Sequence, residues 1–192
     1  MEQDLSLAEG RISPATSAEL KRRFFTAPIL WGAFACAMGI LVFVAFRARP
    51  QDVATIPFDL TVPFGLVAMA FGAGVLGLRR WNYSPRRFES LFGRQAQNNQ
   101  SGLPQGVPAR EALFLKLPEM FFVPFVLSVA LNEVIVILGF VIANSSRDGY
   151  SIIPFAAAGL LLHLYNFPSL KKLIGAGLEA QQRILSGVKK FE

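Results

Sequence analysis

Four long apolar blocks, separated by polar and basic segments, constrain the fold of this chain more than any other feature. They cover about 28–46, 60–78, 120–143 and 152–167, and Pro168 ends the last one. Nearly uncharged stretches of about 18 or more residues are typical of helices that cross a bilayer. A helix also satisfies every backbone polar group within its own segment, as a membrane requires. We therefore expect an all-α membrane protein with four transmembrane helices.

The composition supports a bilayer and excludes several other classes of protein. Of the 192 residues, 53% are hydrophobic and only 17% are charged, which leaves little polar surface for a soluble domain. The net charge of +6 arises from Lys and Arg that flank the apolar blocks, so we attribute it to membrane orientation and anionic lipid, with no nucleic-acid partner. The single cysteine, Cys36, allows neither an intramolecular disulfide nor a thiolate metal cluster. No catalytic motif is present, and we expect no enzyme activity, cofactor or metal.

These blocks divide the chain into five segments. They are a cytoplasmic N-terminal segment (1–26), a first transmembrane hairpin (27–78), a basic cytoplasmic loop (79–118), a second hairpin (119–168) and a cytoplasmic tail (169–192). The polar stretch from Gln95 to Pro108 within the loop is of low complexity, and we expect disorder there. Ser13 followed by Pro14 is typical of a helix start. Apolar residues of the tail recur at helical spacing, which predicts an amphipathic helix lying at the membrane interface.

The orientation follows from the distribution of positive charge. Of 19 Lys and Arg residues, only Arg47, Arg49 and Arg147 lie in the first and third connections between blocks. By the positive-inside rule, the long loop and both termini are cytoplasmic. We therefore expect a multi-pass protein of the inner or plasma membrane.

A weak internal repeat suggests two tandem helical hairpins. Phe24-Phe25-Thr-Ala-Pro28 resembles Phe121-Phe122-Val-Pro124, and Ile56-Pro57-Phe58 matches Ile153-Pro154-Phe155. Duplication of one hairpin would explain the match, and chance similarity of short Phe/Pro motifs in apolar sequence is the alternative.

Glu133 is the residue in the apolar blocks that most needs an explanation. It lies near the middle of the third block, where a carboxylate costs about 2.5–3.5 kcal/mol on insertion scales. One hypothesis is a carboxyl group that binds a proton or a cation within the membrane. The alternative is a structural residue hydrogen-bonded to a neighbouring helix.

His163 in the fourth block lies at nearly the same expected depth as Glu133, given the helical rise of about 1.5 Å per residue. The two side chains would meet if the third and fourth blocks form adjacent antiparallel helices. Their contact would be either a proton relay or a hydrogen bond that stabilises the bundle. We interpret Asn132, beside Glu133, as an interhelical hydrogen-bonding residue and include it as a candidate ligand of the ion site.

A second candidate site consists of basic and aromatic residues next to the apolar blocks. Such residues are typical of membrane interfaces and of anionic lipid headgroups. They are Arg79, Arg80, Trp81, Arg86 and Arg87 after the second block, and Lys171 and Lys172 after the fourth.

The third block, with Glu133 followed by an aliphatic stretch, Gly139 and Ala143, resembles the ion-carrying helix of the rotary ATPase proteolipid (subunit c) family. This resemblance implies that Glu133 is the ion-binding carboxylate of a rotor ring. The chain differs from that family in its long second loop and in carrying the carboxylate on its third block. It also resembles uncharacterised bacterial four-span membrane proteins in which a Glu-bearing span precedes one that ends like His163 to Pro168.

Three functional hypotheses follow. The first is a small membrane subunit, in a homo-oligomer or a larger complex, that binds or conducts a proton or cation at Glu133. The second is a structural or assembly protein in which Glu133 and His163 only stabilise the bundle. The third is a lipid-surface protein that acts through its basic loop and tail.

Overall fold

The computed structural model describes residues 12–47, 61–94, 106–146 and 148–188. In these residues all regular secondary structure is helical and there is no strand, which confirms the all-α prediction. The predicted low-complexity stretch up to residue 105, most of the first connection and Arg147 lie outside the described residues.

Seven α-helices and two 3₁₀ helices make up the described chain. The α-helices are α1 (Pro14–Phe24), α2 (Thr26–Arg47), α3 (Thr61–Asn82), α4 (Pro85–Arg94), α5 (Leu117–Ser146), α6 (Ile153–Tyr165) and α7 (Leu170–Val188). The 3₁₀ helices are η1 (Ala109–Lys116) and η2 (Gly149–Ile152). As predicted, α1 begins at Pro14, and the side chain of Ser13 caps it by accepting a hydrogen bond from Thr16 N.

Three helical stretches are long and apolar enough to cross a membrane: Pro14–Arg47, Thr61–Asn82 and Glu111–Ser146. A fourth crossing exists only if Gly149–Tyr165 and Leu170–Ser186, separated by a short break, act as one bent span. In the most apolar window of α3 only 6% of the residues are buried, and Val62, Leu66 and Met69 are exposed. Water does not tolerate so large an apolar surface on a soluble monomer, whereas lipid does. These helices therefore indicate a membrane protein.

The chain divides into two compact units, which we call the apolar unit and the polar unit. The apolar unit comprises Pro28–Arg79 and Phe125–Pro168. The polar unit comprises Met1–Ala27, Arg80–Pro124 and Ser169–Glu192.

Helix α5 is the central element of the apolar unit. On one side, Val136 and Ala143 of α5 pack against Met38 and Ala45 of α2. On another side, Ile135 and Ile142 of α5 pack with Phe155 of α6, against partly buried residues of α3. Since α5 carries Glu133, this arrangement fixes the surroundings of the candidate carboxylate.

The polar unit is held together by buried aromatic residues and by one buried carboxylate. Glu111 of η1 is only 5% exposed, and it accepts hydrogen bonds from the backbone N (2.8 Å) and Oγ (2.7 Å) of Ser13. Phe24 of α1 contacts Phe121 at a ring-centroid distance of 5.3 Å. These contacts attach the N-terminal helix to the segment that leads into α5.

Helix α7 forms close to where the amphipathic tail was predicted, and protein covers part of its apolar face, while Leu185 is exposed. Leu173, Ile174 and Ala180 are buried, and α7 packs along α4. A Cβ atom on Gly177 would lie 2.7 Å from a methyl group of Leu117, so α7 also touches the start of α5 closely. The interfacial location of this helix stays a prediction. Periodicity predicts an apolar face, but it does not distinguish lipid from protein as the surface that covers it.

Candidate functional site

Glu133 lies in the middle of the 30-residue helix α5 and is half-buried. Helical spacing places it on the same side as Val136 and Phe140, which pack against α2. Within the described residues, Glu133 makes neither a hydrogen bond nor an ion pair. Its carboxyl group therefore lies at the flank of the packed helices and has no internal partner there.

Asn132 occupies the neighbouring face of α5 and is completely buried. Its backbone carbonyl oxygen lies 3.2 Å from where a Cβ atom on Gly159 would be, so α5 and α6 cross closely at this point. Neither side-chain atom of its amide has a hydrogen-bond partner among the residues described. The interhelical hydrogen bond predicted for Asn132 is therefore not found within the described part of the chain.

His163 of α6 is also completely buried, and it pairs with Trp31 of α2. Trp31 Nε1 donates to the carbonyl oxygen of His163 at 2.9 Å, and His163 Nε2 lies 3.0 Å from the carbonyl oxygen of Trp31. The two rings are stacked, with centroids 4.6 Å apart. Because a carbonyl oxygen can only accept, His163 Nε2 carries the hydrogen and Nδ1 presents a lone pair.

The structure does not bring Glu133 and His163 into contact. Nε2 is engaged by Trp31, and Nδ1 has no hydrogen-bond partner in the described part of the chain. The predicted direct contact, as a relay or as a stabilising hydrogen bond, is therefore wrong for this structure. Counting residues along two helices estimates depth, but it leaves open which way each side chain faces around its helix axis.

Two further buried polar residues, which sequence reasoning missed, lie on the same helix faces. Asn166 Nδ2 donates to Ser128 Oγ at 2.5 Å, and both side chains are buried. Ser128 lies one turn before Asn132 on α5, and Asn166, the C-cap residue of α6, lies about one turn after His163. Polar residues spaced about one helical turn apart within an apolar block were the sequence signal that could have identified Ser128 and Asn166. All four side chains are buried, and the Ser128–Asn166 hydrogen bond joins α5 to the end of α6.

The basic residues predicted to lie at the membrane interface differ in their contacts. In the apolar unit, the guanidinium of Arg79 lies over the ring of Tyr165, 4.2 Å from its centroid. In the polar unit, the guanidinium of Arg87 lies over Trp81 at 4.3 Å, and Arg87 donates to Asn82 Oδ1 and to the carbonyl oxygen of Met120.

Burial lowers the pKa of Arg87, but a guanidinium in a protein remains charged. Its contacts to Asn82 and Met120 hold the Arg87 head group within the unit. Arg80, Arg86 and Lys172 are instead exposed, Lys171 is half-buried, and the ring of Trp81 is 53% exposed.

Among the described residues, no three His, Cys, Asp or Glu side chains are grouped so that they could hold a metal ion. Comparison with protein-family models, with curated proteins and with solved structures gives no match for this chain. The fold and these sites define an α-helical membrane protein. The resemblance of α5 to the proteolipid helix stays a prediction from the sequence.

Proposed function

We propose that this chain is a four-span, non-enzymatic membrane subunit that binds a proton or a cation at Glu133. The observation that carries the proposal is the setting of Glu133. Its carboxyl group is half-buried in the middle of a long apolar helix and has no hydrogen-bond or ion-pair partner within the described residues. In this topology both termini and the basic loop are cytoplasmic, as the distribution of Lys and Arg indicates.

A carboxyl group at this position is stable in the bilayer only if its charge is neutralised. An ionised carboxylate at the membrane centre costs about 2.5–3.5 kcal/mol on insertion scales, and no described side chain compensates for it. Protonation or a bound cation removes most of that cost, since either neutralises the charge. A carboxylate that is stabilised by a proton or cation from outside the protein is well suited to bind and release that ion.

The ion site of this proposal is smaller than the sequence suggested. His163 is engaged by Trp31 through Nε2, and Asn132 points to a different side of α5 from Glu133. We therefore assign the ion to Glu133 alone in this chain. A partner subunit packed on the flank of α5 would supply further ligands, as the resemblance to a rotor ring implies.

A second candidate function, structural support or assembly, is favoured by the reciprocal contact of Trp31 and His163. Two hydrogen bonds and a ring stack join α2 to α6, and they explain His163 without any ion chemistry. In this reading Glu133 would bind a polar group of a neighbouring subunit, and its protonation would have no role.

Labelling with an apolar carbodiimide distinguishes the two functions, because the reagent modifies protonated carboxyl groups from within detergent or lipid. In the purified protein we expect Glu133 to react near neutral pH, and the reaction to decrease at higher pH or with added sodium. Adducts are mapped by mass spectrometry. Glu119, whose side chain is 66% exposed and paired with Arg23, is the internal control and is expected to react far less.

Two variants complete the design. Glu133→Gln should lose the adduct in the third apolar block, and Glu133→Asp should keep it. Absence of labelling at Glu133 at every pH would contradict ion binding and favour a carboxylate held by a structural partner.

A further inference from the structure

The polar unit brings together two chain segments that lie next to the ends of apolar blocks. The second block ends near residue 78 and the fourth near residue 167. The hydroxyl oxygen of Tyr83 accepts a hydrogen bond from the backbone N of Ser169 at 3.0 Å. This bond fixes the segment after the second block beside the start of α7, close to where both blocks would leave the bilayer.

Three exposed cations surround this junction. Arg80 and Arg86 lie three residues before and after Tyr83, and Lys172 lies three residues after Ser169. All three are exposed, and none forms an ion pair within the described residues. Three residues span at most about 11 Å, so the Cα atom of each cation lies within about that distance of Tyr83 or of Ser169.

The nearby acidic residues do not neutralise this cluster. Glu89 of α4 and Glu179 of α7 both pair with Arg183, at 3.4 Å and 2.7 Å. Arg183 is eleven residues beyond Lys172, or about 16 Å along the axis of α7. Within the described residues, Arg80, Arg86 and Lys172 therefore have no ion-pair partner, whereas Arg183 further along α7 has two.

Trp81 indicates the surroundings of the cluster. Its ring is 53% exposed and is held from one side by the guanidinium of Arg87. Tryptophan is enriched at the headgroup level of membranes, where one part of the ring is in apolar surroundings and another in water. Exposed cations beside such a ring fit the phosphate of a lipid headgroup better than a soluble anion.

We infer that Arg80, Arg86 and Lys172 form a single site for the phosphate headgroup of an anionic phospholipid. The Tyr83–Ser169 hydrogen bond organises the site, and Trp81 sets its level at the membrane surface. A lipid bound there links the chain after the second block to the start of α7. This site is independent of the carboxyl group of Glu133.

The test uses the full-length protein with phosphatidylglycerol or phosphatidylcholine, with bound lipid counted by native mass spectrometry. We expect the wild type to retain phosphatidylglycerol selectively. The variant Arg80→Gln/Arg86→Gln/Lys172→Gln should bind it at least roughly tenfold more weakly, because each cation near a membrane surface contributes about 1 kcal/mol. Phosphatidylcholine binding should not change, which also reports that the variant is folded.

The matched control removes the same charge elsewhere, as Arg22→Gln/Arg47→Gln/Lys116→Gln, and should keep the wild-type affinity for phosphatidylglycerol. Equal losses in the two triple variants would overturn a defined site, since they would reflect net charge only. Unchanged binding in the first variant would overturn it as well. Displacement of phosphatidylglycerol by millimolar inorganic phosphate would show a site for free phosphate and would overturn the assignment to lipid.

Discussion

At the scale of single residues, the environment of His163 shows how a polar group is accommodated among apolar helices. A buried imidazole without partners would be costly. Here one ring nitrogen bonds to the carbonyl oxygen of Trp31, and the indole of Trp31 bonds back to the carbonyl oxygen of His163. The histidine therefore connects α6 to α2, and it is separate from the carboxyl group of Glu133.

Double-mutant cycles test this separation. We expect His163→Phe to lower the free energy of unfolding by about 0.6–2 kcal/mol, because it keeps an aromatic ring but loses a buried hydrogen bond. The effects of His163→Phe and Glu133→Gln should add to within about 0.5 kcal/mol, as for residues that do not interact. His163→Phe and Trp31→Phe should couple by more than about 0.5 kcal/mol. The free energies of unfolding are measured in detergent by far-UV circular dichroism, which does not depend on Trp31. Strong coupling between His163 and Glu133 would contradict their separation and favour a proton relay.

Sequence reasoning at this scale identified the unusual residues but not their partners. Glu133, Asn132 and His163 stand out because polar groups are rare in apolar blocks. Trp31 does not stand out in the sequence, because indole rings are ordinary in membrane helices. Its partner, His163, lies 132 positions away in the chain. The contacts of His163 depend on how the helices are rotated against one another, which a single sequence does not determine.

At the scale of helices, the crossing of α5 and α6 depends on glycine. A Cβ atom on Gly159 would lie 2.5 Å from a methyl group of Val136 and 3.2 Å from the carbonyl oxygen of Asn132. Small residues allow helix backbones to approach closely in membranes, where packing provides much of the attraction between helices. Gly39 of α2 has no such neighbour, because a Cβ atom there would meet nothing within 4 Å.

Alanine substitutions at these two glycines should therefore have opposite effects. We expect Gly159→Ala to destabilise the protein by about 1–3 kcal/mol, because the backbone oxygen of Asn132 cannot move aside without separating the helices. Gly39→Ala should be neutral or slightly stabilising, because alanine favours helix more than glycine does. Thermal unfolding of both variants in the same detergent is the measurement. Equal behaviour of the two would show that α5 and α6 do not pack as described.

Helix α7 illustrates what periodicity can and cannot predict for an element. Its apolar residues recur at helical spacing, and a helix is indeed present at Leu170–Val188. The periodicity led us to expect that the apolar face contacts the membrane interface. Leu173 and Ala180 of that face are instead buried within the polar unit. The helix that packs along α7 is α4, which lies far from it in the sequence, so a local pattern cannot reveal this partner.

At the scale of the whole molecule, the division into an apolar and a polar unit follows the sequence pattern. Apolar helices that expose Val62, Met69 and Ile40 require lipid, whereas the polar unit buries its aromatic residues. The all-helical class and the presence of membrane-crossing helices were predictable, because length and hydropathy decide them. Four crossings and a tandem repeat stay predictions, since Gly149–Tyr165 is short and reaches spanning length only together with α7.

Cysteine accessibility measures the topology on which the account depends. In a Cys36→Ala background, single cysteines are placed as Gln51→Cys and Asn144→Cys in the first and third connections, and as Gln97→Cys and Ser186→Cys in the loop and tail. A membrane-impermeant maleimide added to intact cells should label the first pair only, and it should label the second pair after the membrane is opened. Labelling of Gln97→Cys from the same side as Asn144→Cys would contradict the four-span topology and remove the mid-membrane setting of Glu133, which lies between these two positions.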